Sequence, residues 1–301
     1  MIVGIIDLGS NSVRMTIADT KSGETLYMCK KAIKLSQGMN EDMMLKDEPI
    51  KRCVLAFFEL KLIMEKYKAE KIYAVATAAV RKAKNKDEFL DVMKKETGIE
   101  IRVLSGGEEA KLDFIGVLGA TNISNAVILD TGGGSTEFIG VKNGEIIGAE
   151  SVQIGSRSIK ELYFKDGETE DAIGKAKSAV KEFTDNISWL DELSGVSVIG
   201  IGGSNRTVAR IFMNCDGADK PIDECVVGAE KVFEIVERIR KTPAPKRLEI
   251  NGITPDRTDI IYGGVLPLEY LMKKLSSEKF IVTDAGLRDG ILKCLKEKGE
   301  F

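Results

Sequence analysis

The sequence predicts an α/β protein of two similar domains facing each other across a cleft, and three observations carry that prediction. The opening IIDLGSNSVRMTIADTKSGE (residues 5–24) is echoed by ILDTGGGSTEFIGVKNGE (128–145), with Asp7, Gly9 and Ser12 matched by Asp130, Gly132 and Ser135 at one constant offset. Each copy reads strand, glycine-rich turn, alternating strand, second turn, strand, which is a hairpin unit with tight turns. The rest of the 301 residues alternates strand and helix signals and is long enough for two cores.

In chain order, KIYAVATAAV (71–80) reads as a strand, followed by a helix from about Asn85, whose spacing to Glu88 is that of a capping box. IEIRVLS (99–105) is a strand and GGEEAKLDFIGVLGA (106–120) a helix. SGVSVIGIGG (194–203) is a strand running into a turn, with SNRTVARIF (204–212) a helix. RTDIIYGGVLPLEYLMKKL (257–275) is a helix kinked or split at Pro267, and KFIVTDAGLRDGILKCLKEK (279–298) gives strand, turn and helix. Residues 213–225 and KTPAPKRLEINGITP (241–255) read as surface loops. In this arrangement ligand loops gather at the carboxyl ends of strands.

Composition removes several kinds of chemistry. The chain has no histidine, so a Ser-His-Asp or Cys-His nucleophile, a phosphohistidine and a histidine-ligated metal are excluded. The five cysteines form no CxxC pair and read as reduced core residues of a cytoplasmic protein. A net charge of −3 offers no general attraction for nucleic acid or an anionic membrane, and no apolar run is long enough to span a bilayer. Proton transfer is left to carboxylates, Lys or Tyr, and any metal should be a hard ion such as Mg²⁺.

Three glycine turns are candidate phosphate cradles: Gly9 with Ser10, Asn11 and Ser12; Gly132, Gly133 and Gly134 with Ser135; Gly202 and Gly203 with Ser204 and Asn205. Consecutive turn amides make an anion-binding concavity, and the third turn adds a helix N-terminus. Asp7 and Asp130 precede the first two turns. A carboxylate near a phosphate oxygen needs a cation between them, which Mg²⁺ supplies. Glu137, on the strand leaving the second turn, is either a metal or water-orienting group or an exposed strand charge. Ser105 and Glu108 have capping-box spacing, so Glu108 is structural, while Glu109 points elsewhere round the helix and is the better general base. Arg81 at a strand end can clamp phosphate, with Arg206 as a further local cation.

Taken together, DLGSNS (7–12), TAAVRKA (77–83), VLSGGEEAKL (103–112), LDTGGGSTE (129–137), QIGSRSIKELYF (153–164), GIGGSNRTVARI (200–211), DRTDIIYGG (256–264) and DAGLRDGIL (284–292) resemble the exopolyphosphatase/guanosine pentaphosphate phosphohydrolase family over essentially the whole chain. That family lies in the superfamily of sugar kinases, heat-shock chaperones and actin. The resemblance implies two actin-like (ribonuclease H-like) domains, residues 1–121 with 286–301 and residues 122–285, in the short form without the C-terminal helical portion of longer relatives. It implies Glu109 as catalytic base, Asp130 and Glu137 as metal and water-positioning acids, Asp7 as the first-loop aspartate and Arg81 as a phosphate ligand. Asn205 and Ser156-Arg157 depart from the family's commoner residues and bear on substrate preference.

The expected activity is Mg²⁺-dependent hydrolysis of the terminal phosphoanhydride of inorganic polyphosphate, with guanosine pentaphosphate as the alternative substrate. A homodimer is an option, and no nucleic-acid or membrane partner is expected. A small-molecule kinase or a non-catalytic nucleotide or polyphosphate sensor are the other classes.

Overall fold

The computed structural model describes residues 1–39, 42–121, 123–214, 222 and 225–301. The chain divides into two compact units, Met1–Gly119 with Leu287–Phe301, and Ala120–Gly286.

The first unit comprises β1 (Ile2–Leu8), β2 (Ser12–Asp19), β3 (Thr25–Ala32), α1 (Asp47–Lys66), β4 (Lys71–Ala76), α2 (Ala78–Lys82), α3 (Lys86–Thr97), β5 (Ile101–Val103) and α4 (Gly106–Ala120). Its sheet runs β3-β2-β1-β4-β5, with β1, β2 and β3 antiparallel and β4 and β5 parallel to β1. Successive β1 side chains point to opposite faces. Ile6 and Leu8 therefore join Phe57 and Leu60 of α1 and Phe89 of α3 on one side. Val3 and Ile5 join Leu112 of α4 and Ile291 and Leu295 of the C-terminal segment on the other.

The second unit comprises β6 (Ala126–Thr131), β7 (Thr136–Lys142), β8 (Glu145–Val152), α5 (Ser156–Tyr163), α6 (Glu170–Asp185), β9 (Ser197–Ile201), α7 (Gly202–Phe212), β10 (Cys225–Gly228), α8 (Ala229–Lys241), α9 (Ile261–Leu275) and β11 (Lys279–Val282). The last helix, α10 (Leu287–Lys298), returns to the first unit. Read from its β8 edge, the second sheet runs β8-β7-β6-β9-β11-β10. With β10 set aside, the order third-second-first-fourth-fifth strand is built twice; β10, which precedes β11 in the chain, pairs antiparallel with it at the edge of the second sheet. Even the turn is duplicated: Gly9 N donates to Ser12 O and Gly132 N to Ser135 O, both at 3.0 Å. The sequence repeat is therefore a structural one.

Five sequence readings need correction or fall outside the description. The strand expected over 71–80 ends at Ala76, and Ala78–Lys82 coils into α2, in keeping with the helix preference of its alanines. Asn85 does not cap α3; its side chain accepts from Leu45 N at 2.9 Å and donates to Leu45 O at 3.0 Å. α9 begins at Ile261 and continues through Pro267 as one helix. The segment 241–255 is only partly a surface loop. It holds a 3₁₀ turn, Ala244–Glu249, and buries Arg247 completely. Most of the loop expected at 213–225 lies outside the described residues.

Arg247 is buried with its donors occupied. Nη1 donates to Glu168 Oε1 at 2.9 Å and to Thr258 O at 3.0 Å, Nε donates to Thr242 O at 3.0 Å, and Nη2 is paired with the second oxygen of Glu168. This fork ties the 241–258 segment to the loop just before α6, and the Arg247 guanidinium lies 5.8 Å from the ring centre of Tyr262 in α9.

Candidate active site

Each unit presents a glycine turn and an aspartate at the end of its first hairpin. In the first unit the Asn11 carbonyl accepts from Ile33 N and Lys34 N at 3.0 and 2.9 Å, and Ser10 O accepts from Ser36 N at 3.1 Å. The turn is thereby anchored through its carbonyls, the orientation in which turn amides can face an anion. Asp7 stands opposite Arg14 in the β1–β2 register. Arg288 of α10 donates to Thr16 Oγ1 at 2.7 Å. Burial holds the Arg288 guanidinium below the usual arginine pKa, Arg14 adds to this and Asp7 opposes it.

Farther along this unit, α4 carries the two adjacent glutamates, and they have different surroundings. Glu108 closes the capping box: Ser105 N donates to Glu108 Oε2 at 2.9 Å and Glu108 N donates to Ser105 Oγ at 3.2 Å. These bonds, led by the Ser105 backbone, lower the Glu108 pKa from the ordinary glutamate value. Glu109 is 7% exposed and accepts from Arg81 Nη1 at 2.8 Å. The same Arg81 nitrogen donates to Leu104 O at 2.9 Å. Arg81 Nη2 is buried without a hydrogen-bond partner among the described residues, so one edge of the guanidinium is left for a ligand.

In the second unit Asp130 stands opposite Glu137 in the β6–β7 register. Directly paired positions project to the same face, with Cβ atoms about 4.5–5.5 Å apart. Glu137 is 2% exposed, so its reading as an exposed strand charge is set aside. Its Oε1 accepts from Ser135 Oγ and from Ser151 Oγ, each at 2.8 Å. Gly132 O accepts from Ser156 N at 2.9 Å, and Gly133 O accepts from Arg157 N and Ser158 N at 2.8 and 3.0 Å. The Gly132–Gly134 turn is held, like the first, by its carbonyls. A Cβ on Gly155 would lie 2.7 Å from both Gly133 C and Ser135 N, so only glycine lets α5 approach the turn.

The third glycine turn is the first turn of α7. Gly202 has φ +78, and a Cβ there would strike the Asp130 carboxylate. A Cβ on Gly203 would strike the Arg257 guanidinium, which therefore lies against the N-terminus of α7. Ser204 Oγ and Thr131 Oγ1 are buried without hydrogen-bond partners among the described residues. Arg206 is buried, with its Nε 3.7 Å from Asp284 Oδ1.

The structure thus gathers Asp7 with the 9–12 turn, Arg81 with Glu109, and Asp130 and Glu137 with the 132–135 turn and the start of α7. Arg14, Ser151, Arg257 and Arg288 were not singled out from sequence. Arg14 occupies, in the first copy of the repeat, the place of Glu137 in the second, a contrast already visible when the copies are aligned. Among the described residues no three Cys, Asp or Glu side chains converge on one point. A pair of paired-strand carboxylates nevertheless fits a hard cation that keeps waters and phosphate oxygens as its other ligands.

Comparison with known proteins identifies the family. Residues 16–298 match the Ppx/GppA phosphatase family. A Haemophilus influenzae protein provisionally named exopolyphosphatase is 30% identical over 98% of this chain and 91% of its own length. The guanosine-5'-triphosphate,3'-diphosphate pyrophosphatase of Pseudoalteromonas translucida is 29% identical over 97% of this chain, which spans 58% of that relative. The crystal structure of the Aquifex aeolicus Ppx/GppA family member superposes with a TM-score of 0.80 at 26% identity, covering 99% of both chains. The chain belongs to the Ppx/GppA phosphatase family, is a phosphatase of that family and has its actin-like, two-domain fold.

Proposed function

We propose that this protein is an exopolyphosphatase, hydrolysing the terminal phosphoanhydride of inorganic polyphosphate with Mg²⁺ and releasing orthophosphate. The observation that carries the reading is the pairing of two carboxylates, Asp130 and Glu137, beside a glycine turn and the amino end of α7. Two like charges on adjacent strand positions repel each other unless a cation lies with them. Asp130 and Glu137 would hold Mg²⁺, and Asp7, beside Arg14 and Arg288, is the matching acid of the first unit. When bound, Mg²⁺ offsets the negative charge of the phosphoryl oxygens.

Glu109 accepts a proton from the attacking water. The water oxygen bonds to the terminal phosphorus, the bridging P–O bond breaks, and the shortened chain leaves as the other product. Arg81 holds Glu109 through Nη1 and receives a phosphoryl oxygen through Nη2. The amides of Ser10, Asn11, Ser12, Gly132, Gly133, Gly134, Ser135, Gly202, Gly203 and Ser204 stabilise the charge that develops, and Arg206 and Arg257 add positive potential at α7. Ser135 and Ser151 fix Glu137 through its Oε1.

Guanosine pentaphosphate is the second reading, supported by the named activity of the Pseudoalteromonas relative, and it offers the same terminal phosphoanhydride. Comparing kcat/KM for polyphosphate of defined length with that for guanosine pentaphosphate decides between them; a higher value for the nucleotide would replace the first reading. The described cysteines are free thiols, and we place the protein in the cytoplasm. Among the described residues, no helix is long and apolar enough to cross a membrane.

The metal assignment makes its own prediction. Asp130→Asn raises the Mg²⁺ concentration needed for half-maximal phosphate release, because an amide is a poorer ligand for a hard cation. A titration indistinguishable from that of the unaltered protein would remove Asp130 from the metal's ligands.

A further inference from the structure

Helix α1 turns an apolar stripe to solvent. Leu55, Phe58 and Leu62 are 63%, 41% and 66% exposed. Their spacing, i, i+3 and i+7, puts all three on one face, while Cys53, Phe57, Leu60 and Met64 bury the opposite face in the core. Single exposed apolar residues are ordinary, but three in a row on a helix are the mark of a covered surface.

The charges around the stripe indicate what covers it. Lys51 and Glu65 lie on the same face as Phe58, two helical turns before and after it, and both are exposed. Glu48 and Lys66 flank that face in the opposite order, negative toward the amino end and positive toward the carboxyl end, and Glu48 also lies 3.5 Å from Arg52 one turn on. Glu59, a quarter turn away, is taken by Lys31 of β3 and stands outside the stripe. The pattern is complementary to itself under a twofold axis through Phe58. With a second α1 antiparallel to the first, Phe58 meets its own copy and Leu55 meets Leu62. Lys51 then comes opposite Glu65, and Glu48 opposite Lys66. A parallel arrangement would set Lys51 on Lys51 and Glu65 on Glu65.

We propose that α1 is the self-association face of this protein and that its occupant is a second copy of the chain, docked antiparallel through Leu55, Phe58 and Leu62. Such an interface is isologous and closes as a dimer. One helix face is small beside the ~800 Å² per partner of a standard interface, so the dimer is reversible and concentration-dependent.

Sedimentation velocity over a concentration series tests this. The unaltered protein should pass from monomer to dimer, and Phe58→Glu should remain monomeric at every concentration. Lys51→Glu and Glu65→Lys should each weaken association severalfold, because each sets like charges opposite one another twice. The double variant, Lys51→Glu with Glu65→Lys, should recover association toward that of the unaltered protein. Circular dichroism checks that each variant is folded, which these exposed positions favour. An unaltered protein that stays monomeric, a dimer indifferent to Phe58→Glu, or single charge variants that the double reversal does not rescue would each overturn the proposal.

Discussion

Glu109→Gln lowers turnover by ~10²–10⁴-fold, the usual contribution of a positioned general base. Glutamine keeps a carbonyl oxygen for the Arg81 Nη1 donor, which now reaches Glu109 at 2.8 Å, so the arginine stays in place while the proton acceptor is lost. Substrate binding should therefore persist, and KM should change far less than kcat. The neighbouring Glu108→Gln is the internal control. Glu108 serves the helix cap with Ser105, a role glutamine can fill at the same position, so activity should be nearly unchanged. Steady-state kinetics on the two variants separate the adjacent carboxylates. A large loss at Glu108 with little at Glu109 would show that their roles are reversed.

The largest effect on stability is expected at Arg247. Removing one partner of a buried ion pair leaves the other charge stranded, at a cost of about 3–5 kcal/mol. Arg247→Met leaves Glu168 without its fork and withdraws the donors to Thr242 O and Thr258 O. The double change Arg247→Met with Glu168→Leu removes both charges and should cost much less than Arg247→Met alone. Trp189 is the chain's one tryptophan and lies in the same unit, so its fluorescence in a urea titration reports on the unit concerned. Equal destabilisation by the single and double variants would mean that the backbone hydrogen bonds, and not the ion pair, secure the segment.

The two units were legible because the signal was repeated. The Asp-x-Gly turn at 7–9 recurs at 130–132, and both copies fold into the same hairpin with the same 3.0 Å turn bond. Local spacing also served where both partners are local: Ser105 and Glu108, three residues apart, do form the predicted capping box. Asn85 and Glu88 have the same spacing, but Asn85 is drawn away by Leu45, forty residues earlier. A spacing rule cannot register a competing partner at that distance. Arg247 was hidden for the same reason. In its proline- and lysine-rich surroundings it reads as a solvated charge, and only the fold brings up Glu168, seventy-nine residues away. Ser151 reaches Glu137 by strand register alone, and Arg257, read from sequence as the first residue of a helix, lies before α9 and against Gly203. At the candidate site, the acids and glycines could be read from the chain. The donors and cations that hold them needed the tertiary structure.

The two acids of the β6–β7 hairpin and Glu109 are proposed to serve hydrolysis of a terminal phosphoanhydride. Phosphorus NMR of a defined-length polyphosphate during digestion tests it most directly, because end-group, interior and free phosphate are separate signals. With Mg²⁺, orthophosphate should rise from the first time point while each chain loses only terminal units, and excess chelator should stop the reaction. Interior cleavage that multiplies end groups before orthophosphate appears, or full activity in chelator, would contradict it.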